Sequence, residues 1–230
     1  MSDTNQQPAN PTGDKRSPVT GGAPVGGIDV VPGDPPVPLS VWYRTDRDPR
    51  GGARRNQARQ IIDSYSNPGQ VVLDFDADAH LHAAAVAAGR VYLTLPRIRI
   101  IADLAGAGVD LIVVRWPRPH RDSRTPSPTA EHDLALALRS LLGAYGHAVI
   151  AFDPPPPGVL HAAQAAPLTA VAAKAGLGHR QNVIHLDTGL RGGTLDTTGL
   201  PPATGARSQG WQHQAHRHLL VLSPRARRHA

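Results

Sequence analysis

The chain has 230 residues, enough for one domain with tails, and a core of that size stands without disulfides or metals. It has no cysteine, which excludes disulfide frameworks, thiolate catalysis and Cys-ligated zinc. Its formal charge is +6, and Lys15 and Lys174 are the only lysines among 24 basic residues, so arginine carries a surface suited to polyanions such as nucleic acid.

Residues 1–38 hold eight prolines and six glycines with few large apolar side chains. Such a segment buries too little surface to offset its ordering entropy, and a disordered tail is predicted. The start of the chain lacks the apolar stretch of a signal peptide, and no apolar run approaches the ~20 residues that span a bilayer. The expectation is a cytoplasmic protein without membrane contact. A helix is predicted over 54–65, ended by the turn chemistry of Asn67-Pro68-Gly69. Gln70–Phe75 reads as a buried strand, and Ala79–Ala88 as a helix closed by Gly89. Val91–Leu95 is a second strand, 97–105 a short helix, and Val109–Val114 a third strand. Glu131–Tyr145 is an amphipathic helix ended by Gly146. His147–Phe152 is the next strand, stopped by Asp153 and the prolines that follow it, Pro154 to Pro157. Leu168–Ala175 is a helix before Gly176, and Asn182–Leu186 and His218–Leu222 are the last strands. Residues 223–230 form a basic tail. This alternation predicts one α/β domain over 39–222, a mostly parallel sheet with helices on both faces and ligands beyond the carboxyl ends of its strands.

The most informative stretch runs from Val71-Val72-Leu73-Asp74-Phe75 through Asp76-Ala77-Asp78-Ala79-His80 to Gly89-Arg90. It resembles the first nucleotide-binding unit of class I S-adenosylmethionine-dependent methyltransferases, where a strand ends in an acid, a Gly-x-Gly-x-Gly loop follows, and a helix begins. The lead-in Ile61 to Gln70, with Tyr65 and Pro68-Gly69, and Ser40-Val41-Trp42 resemble the amino-directed (N4-cytosine/N6-adenine) DNA methyltransferases. The resemblance implies a Rossmann-like class I methyltransferase fold. S-adenosylmethionine is the implied cofactor if the protein is active, and none otherwise. The implied cofactor cleft comprises Asp74, Phe75, Asp76, Ala77, Asp78 and His80, with Asp74 orienting the loop. Arg115, Trp116 and Pro117 stand where the catalytic loop belongs.

The departures are at the points of chemistry. Asp76, Asp78 and His80 occupy the three glycine positions, where the backbone must approach the cofactor closely. Two carboxylates there face the cofactor's own carboxylate, and like charges that close are costly when desolvated. The second strand ends at Leu95-Pro96 without the acid that holds ribose hydroxyls. Arg115 is a donor only and cannot accept a hydrogen bond from a target amine; Pro117 remains, with Trp116 as a stacking ring. The catalytic residue is therefore unassigned. The short connection between the second and third strands suggests a lost β–α unit. Asp153-Pro154-Pro155 mimics the catalytic motif one strand too late and reads as a stiffened loop.

Asp74, Asp76, Asp78, His80 and His82 alternate, as a strand-borne metal site would. A strand ending near Phe75 instead leaves Asp78 as the cap of the next helix, and that reading is preferred, with no metal assigned. His213, His216 and His218 lack zinc-helix spacing and read as exposed histidines at a strand entry. No Gly-x-Ser-x-Gly, phosphate-loop or dinucleotide motif occurs. Arginines cluster at Arg44, Arg47, Arg50, Arg54, Arg55 and Arg59, and again at Arg115, Arg118, Arg121 and Arg124, with Trp42, Tyr43 and Trp116 nearby; both groups are candidate nucleic-acid contacts. The expectation is a methyltransferase-like protein with eroded cofactor and catalytic motifs and a regulatory or binding role. The alternatives are an active methyltransferase with an altered loop, and a non-enzymatic nucleic-acid-binding protein.

Overall fold

The computed structural model describes residues 29–31, 37–44, 52–94, 106, 108–117, 129–153, 161–191, 194–195 and 216–225. Its elements run β1 (Asp29–Val31), β2 (Val37–Arg44), α1 (Gly52–Tyr65), β3 (Val71–Asp74), α2 (Ala79–Ala87), β4 (Val91–Thr94), β5 (Val109–Trp116), α3 (Ala130–Leu141), β6 (Leu142–Phe152), α4 (His161–Lys174), β7 (Leu177–Arg191), β8 (Thr194–Leu195) and β9 (His216–Pro224). The strands lie in the order β1-β2-β7-β9-β6-β5-β3-β4, with β8 paired to the end of β7. β3 is parallel to β4 and β5, β5 to β6, and β2 to β7, so β3, β5 and β6 run together as the alternation predicts. β9 runs antiparallel between β6 and β7, and β1 antiparallel to β2.

The side-chain period of two divides the core between the faces. On one face Ala58, Ile61 and Ile62 of α1 and Leu81, Ala84 and Ala85 of α2 cover Val72, Leu111, Val113 and Val149. On the other, Leu134, Leu138 and Leu141 of α3 and Leu168 and Ala172 of α4 cover Leu73, Ile112, Val114, Ala148 and Ile150. From β3 the chain goes to β4 on one side and returns to β5 on the other. That reversal opens a crevice at the carboxyl ends of β3 and β5, where Rossmann-like sheets hold ligands.

Several boundaries differ from the sequence reading. The segment read as a 1–38 tail contributes β1 and the start of β2, because Val30, Val31 and Val37 supply the β-branched residues of an antiparallel pair. The helix expected to reach Tyr145 ends at Leu141, where its apolar stripe is complete, and Leu142 already pairs with Val109. The ladder then jumps to Leu111↔His147, so Gly143 to Gly146 stand out of register opposite Asp110 and leave Tyr145 95% exposed. α4 starts at His161 and carries Pro167 inside it; the alanine-rich turn before the proline makes up for the bond that the proline cannot donate. β7 and β9 extend beyond the expected strands at both ends. The helix expected at 97–105 and the prolines after Asp153 lie outside the described residues. Among the described residues no helix is long and apolar enough to cross a membrane.

Gly146 is the tight point of the bulge. A Cβ there would sit 2.5 Å from the Val109 carbonyl oxygen, which is backbone and cannot swing aside. Gly146→Ala is expected to lower the unfolding free energy by about 1–3 kcal/mol, read from urea denaturation.

Candidate functional site

β3 delivers Asp74 to its carboxyl end as a side chain only 1% exposed. Its carboxylate accepts the N–H of Asp76 at 2.8 Å, the N–H of Asp78 at 2.6 Å and the hydroxyl of Tyr92 at 2.7 Å. Burial, then the bond and charge of Asp74, hold the Tyr92 hydroxyl protonated far above its ordinary range. The loop's left-handed residue is Ala77 (φ 53), lying between two positions where the methyltransferase pattern has glycine.

The two remaining aspartates face β5. Asp76 accepts the Arg115 N–H at 2.6 Å, and the Asp78 carboxylate pairs with the Arg115 guanidinium. Asp78 also caps α2, accepting the N–H of His80 at 2.8 Å and of Leu81 at 3.3 Å, as the helix-cap reading of that residue expects. Burial alone would raise its pKa. The His80 N–H, the charge of Arg115 and the Leu81 N–H outweigh burial and hold it below the usual carboxylate range.

Around this network lies a cleft lined by Asp74, Asp76, Asp78 and Arg115 with Arg54, Gln57 and Ile61 of α1. Its volume is about 40 Å3, against roughly 300 Å3 or more for pockets that take a small-molecule ligand. Three of the residues read as cofactor-binding therefore meet at the cleft. The others do not line it: Phe75 is buried in the core under α3 and α4, and Ala77 and His80 are exposed. Trp116, read as a stacking ring, is buried in that same core, because it shares the β5 face of Ile112 and Val114. Pro117 is exposed just after the strand.

Of the arginine groups, Arg54, Arg55 and Arg59 are exposed on α1, and Arg115 is taken up by the aspartates. Arg44 ends β2, while Arg47, Arg50, Arg118, Arg121 and Arg124 lie outside the described residues. Sequence reasoning did not find Tyr92, whose hydroxyl is the third donor to Asp74; an inward tyrosine in a short strand beside a buried acid is the signal that marks it.

The histidines near the last strand are not the exposed set expected. His213 is outside the described residues, but β9 begins at His216 and carries His216 and His218 inward. The His218 ring stacks on His161, the first residue of α4, at 3.7 Å between centroids and 14° between planes, and His216 meets it edge-on at 5.0 Å. The Phe152 ring closes the cluster at 4.7 Å from His161. Among the described residues no three metal-ligating side chains converge on one point. Burial first, and then the neighbouring histidines, push His161 down to about 4 and His218 to about 3.

The sign follows from linkage. Between the ordinary histidine value of 6.5 and these lowered values, the unfolded chain takes up protons that the folded chain refuses. The stabilisation is complete above pH 6.5 and is lost progressively as pH falls toward the folded values. The urea midpoint is therefore expected to hold above pH 7 and to decline from pH 6.5 to 5. A His161→Phe, His218→Phe double variant should flatten that decline; an unchanged decline would contradict the assignment.

No protein family and no curated protein matches the chain by sequence. Solved structures with a similar chain path include a SAM-dependent methyltransferase from Archaeoglobus fulgidus, at 10% identity and a TM-score of 0.47 over 75% of this chain and 95% of that one. A TehB-like SAM-dependent methyltransferase from Corynebacterium glutamicum has 15% identity and a TM-score of 0.38 over 73% and 87% of the two chains. A 16S rRNA adenine methyltransferase from Catenulisporales acidiphilia has 16% identity and a TM-score of 0.39 over 84% and 88%. The strand order and directions are those of a Rossmann-like α/β fold, a mostly parallel sheet with helices on both faces. Such likeness describes chain path, and function has to be argued from the site.

Proposed function

We propose that this chain is a methyltransferase-fold protein whose cofactor cleft is closed by its own side chains, and that it serves as a regulatory or binding module. The observation that carries this is the double use of Asp78. A helix N-terminus at a strand's carboxyl end is a natural seat for a ligand anion. At α2 that seat is taken by the Asp78 carboxylate, which is also neutralised by Arg115. An incoming S-adenosylmethionine would bring its own carboxylate against Asp76 and Asp78 and would need Arg115 displaced. The residues present do not fit the cofactor, and no methyl-transfer step is derived through it. The small cleft volume supports the same reading.

One observation favours a second reading. Asp74 still holds the β3–α2 turn by two backbone N–H groups, with its acid at the strand end, so the turn keeps the outline of a cofactor loop. In that reading Arg115 swings out to admit the cofactor, and the protein is an active methyltransferase with an altered loop.

Calorimetric titration of the purified chain with S-adenosylmethionine and S-adenosylhomocysteine separates the two. The closed cleft predicts no binding heat at millimolar ligand; micromolar binding of either would overturn it in favour of the active enzyme. The amino-directed DNA resemblance becomes testable only with that second outcome, by methyl transfer to DNA.

A further inference from the structure

Among the described residues several carboxylates gather at the carboxyl ends of the strands, with Arg115 paired among them. Asp74, Asp76, Asp78, Asp153 and Asp187 stand at or near the carboxyl ends of β3, β6 and β7. At the opposite edge, where α3 and α4 end and β6 and β7 begin, cations collect around one turn. Arg139 of α3 brings its Nε to 3.7 Å from the Cβ position of Gly176. Arg180 of β7 and Arg225, just past β9, come to 3.8 Å and 3.4 Å from that of Gly178. Lys174, the last residue of α4, is exposed two positions before Gly176.

Among the described residues none of these four cations is paired with a carboxylate. Arg180 gives donors to the Ser223 hydroxyl and the Pro224 carbonyl, which orient the guanidinium. On this edge Asp110 is bound to the Val71 N–H, and Asp63 stands on the outer side of α1. Helix dipoles explain a cation in the last turns of α3 and α4. They do not explain Arg180, on β7, or Arg225, just past β9.

Among the described residues, the same edge carries the most exposed aromatic side chain. The β6 bulge holds Tyr145 out at 95% exposure. Ala148 pairs with Leu222 and Leu222 with His179, so the bulge before His147 and the Arg180 turn lie at the same end of neighbouring strands. Clustered cations beside an exposed ring are the composition of a surface that tracks phosphates and stacks on an unpaired base.

We propose that this amino-terminal edge binds single-stranded nucleic acid, with Arg139, Lys174, Arg180 and Arg225 on the phosphates and Tyr145 stacked on a base. A duplex leaves no base face open to that ring, which is why a single strand is favoured. The surface is remote from the cleft and stands whether or not the cleft is closed.

The test is fluorescence anisotropy of a labelled single-stranded 20-mer, titrated with the full chain across a salt series. Affinity should fall as salt rises. Replacing Arg139, Lys174 and Arg225 together by Gln should reduce the slope of log K against log salt by about 2, at roughly 0.7 per cation. Tyr145→Ala should weaken binding about fivefold or more with the slope unchanged, and Tyr145→Trp should restore it, which a damaged fold would not allow. Arg55→Gln with Arg59→Gln, on α1, should leave the affinity as it was. The proposal is overturned by no binding at low salt, by binding that the α1 pair abolishes and the edge variants spare, or by binding to phosphatidylserine vesicles but not to the oligonucleotide.

Discussion

A carboxylate buried as deeply as that of Asp74 has to be met by donors, because an unpaired charge in the interior costs several kcal/mol. It is met by two backbone N–H groups of the loop that follows it and by one phenol from the neighbouring strand. Each of those bonds fixes something else. The Asp76 and Asp78 amides set the path of the turn, and the turn aims both of their carboxylates at β5. There they receive the backbone N–H and the guanidinium of Arg115, and Asp78 is left in position to cap α2. The loop is thereby a strut between β3, α2 and β5.

This coupling explains why Asp76 and Asp78 are accommodated in the turn, at positions that the resemblance to methyltransferases would give to glycine. Glycine at those points serves close approach by a ligand. Where the chain's own carboxylates fill the space and the left-handed conformation falls on Ala77, that need is gone. The mutual neutralisation of Asp78 and Arg115 also removes the charge that either residue would present alone at the cleft.

Much of the fold was legible in the sequence. The parallel β3, β5 and β6 announced themselves as apolar, β-branched runs, and α2 by its acid cap and closing Gly89. What the sequence hid was long-range. Nothing local distinguishes Leu142 to Tyr145 as strand, since leucine, alanine and tyrosine suit a helix; pairing with Val109 decides it. Pro167 reads as a helix start until the turn before it is seen to be helical. At the site, Asp74 as the residue orienting the loop came from the resemblance, while Asp78 as cap followed from its place before α2. The partnership with Arg115, 37 residues from Asp78, did not, nor did the burial of Trp116 and the stacking of His161 on His218. Contacts of that kind need the sheet to be assembled before they exist.

On this reading the β3–α2 loop is an internal brace, closed in the absence of any ligand. Amide hydrogen exchange of the free chain addresses it directly, by following the N–H groups of Asp76, Asp78 and Arg115. A closed brace gives slow exchange at all three, unchanged when S-adenosylhomocysteine is added. Fast exchange in the free chain that slows on adding S-adenosylhomocysteine would contradict it and mark the loop as an open cofactor site.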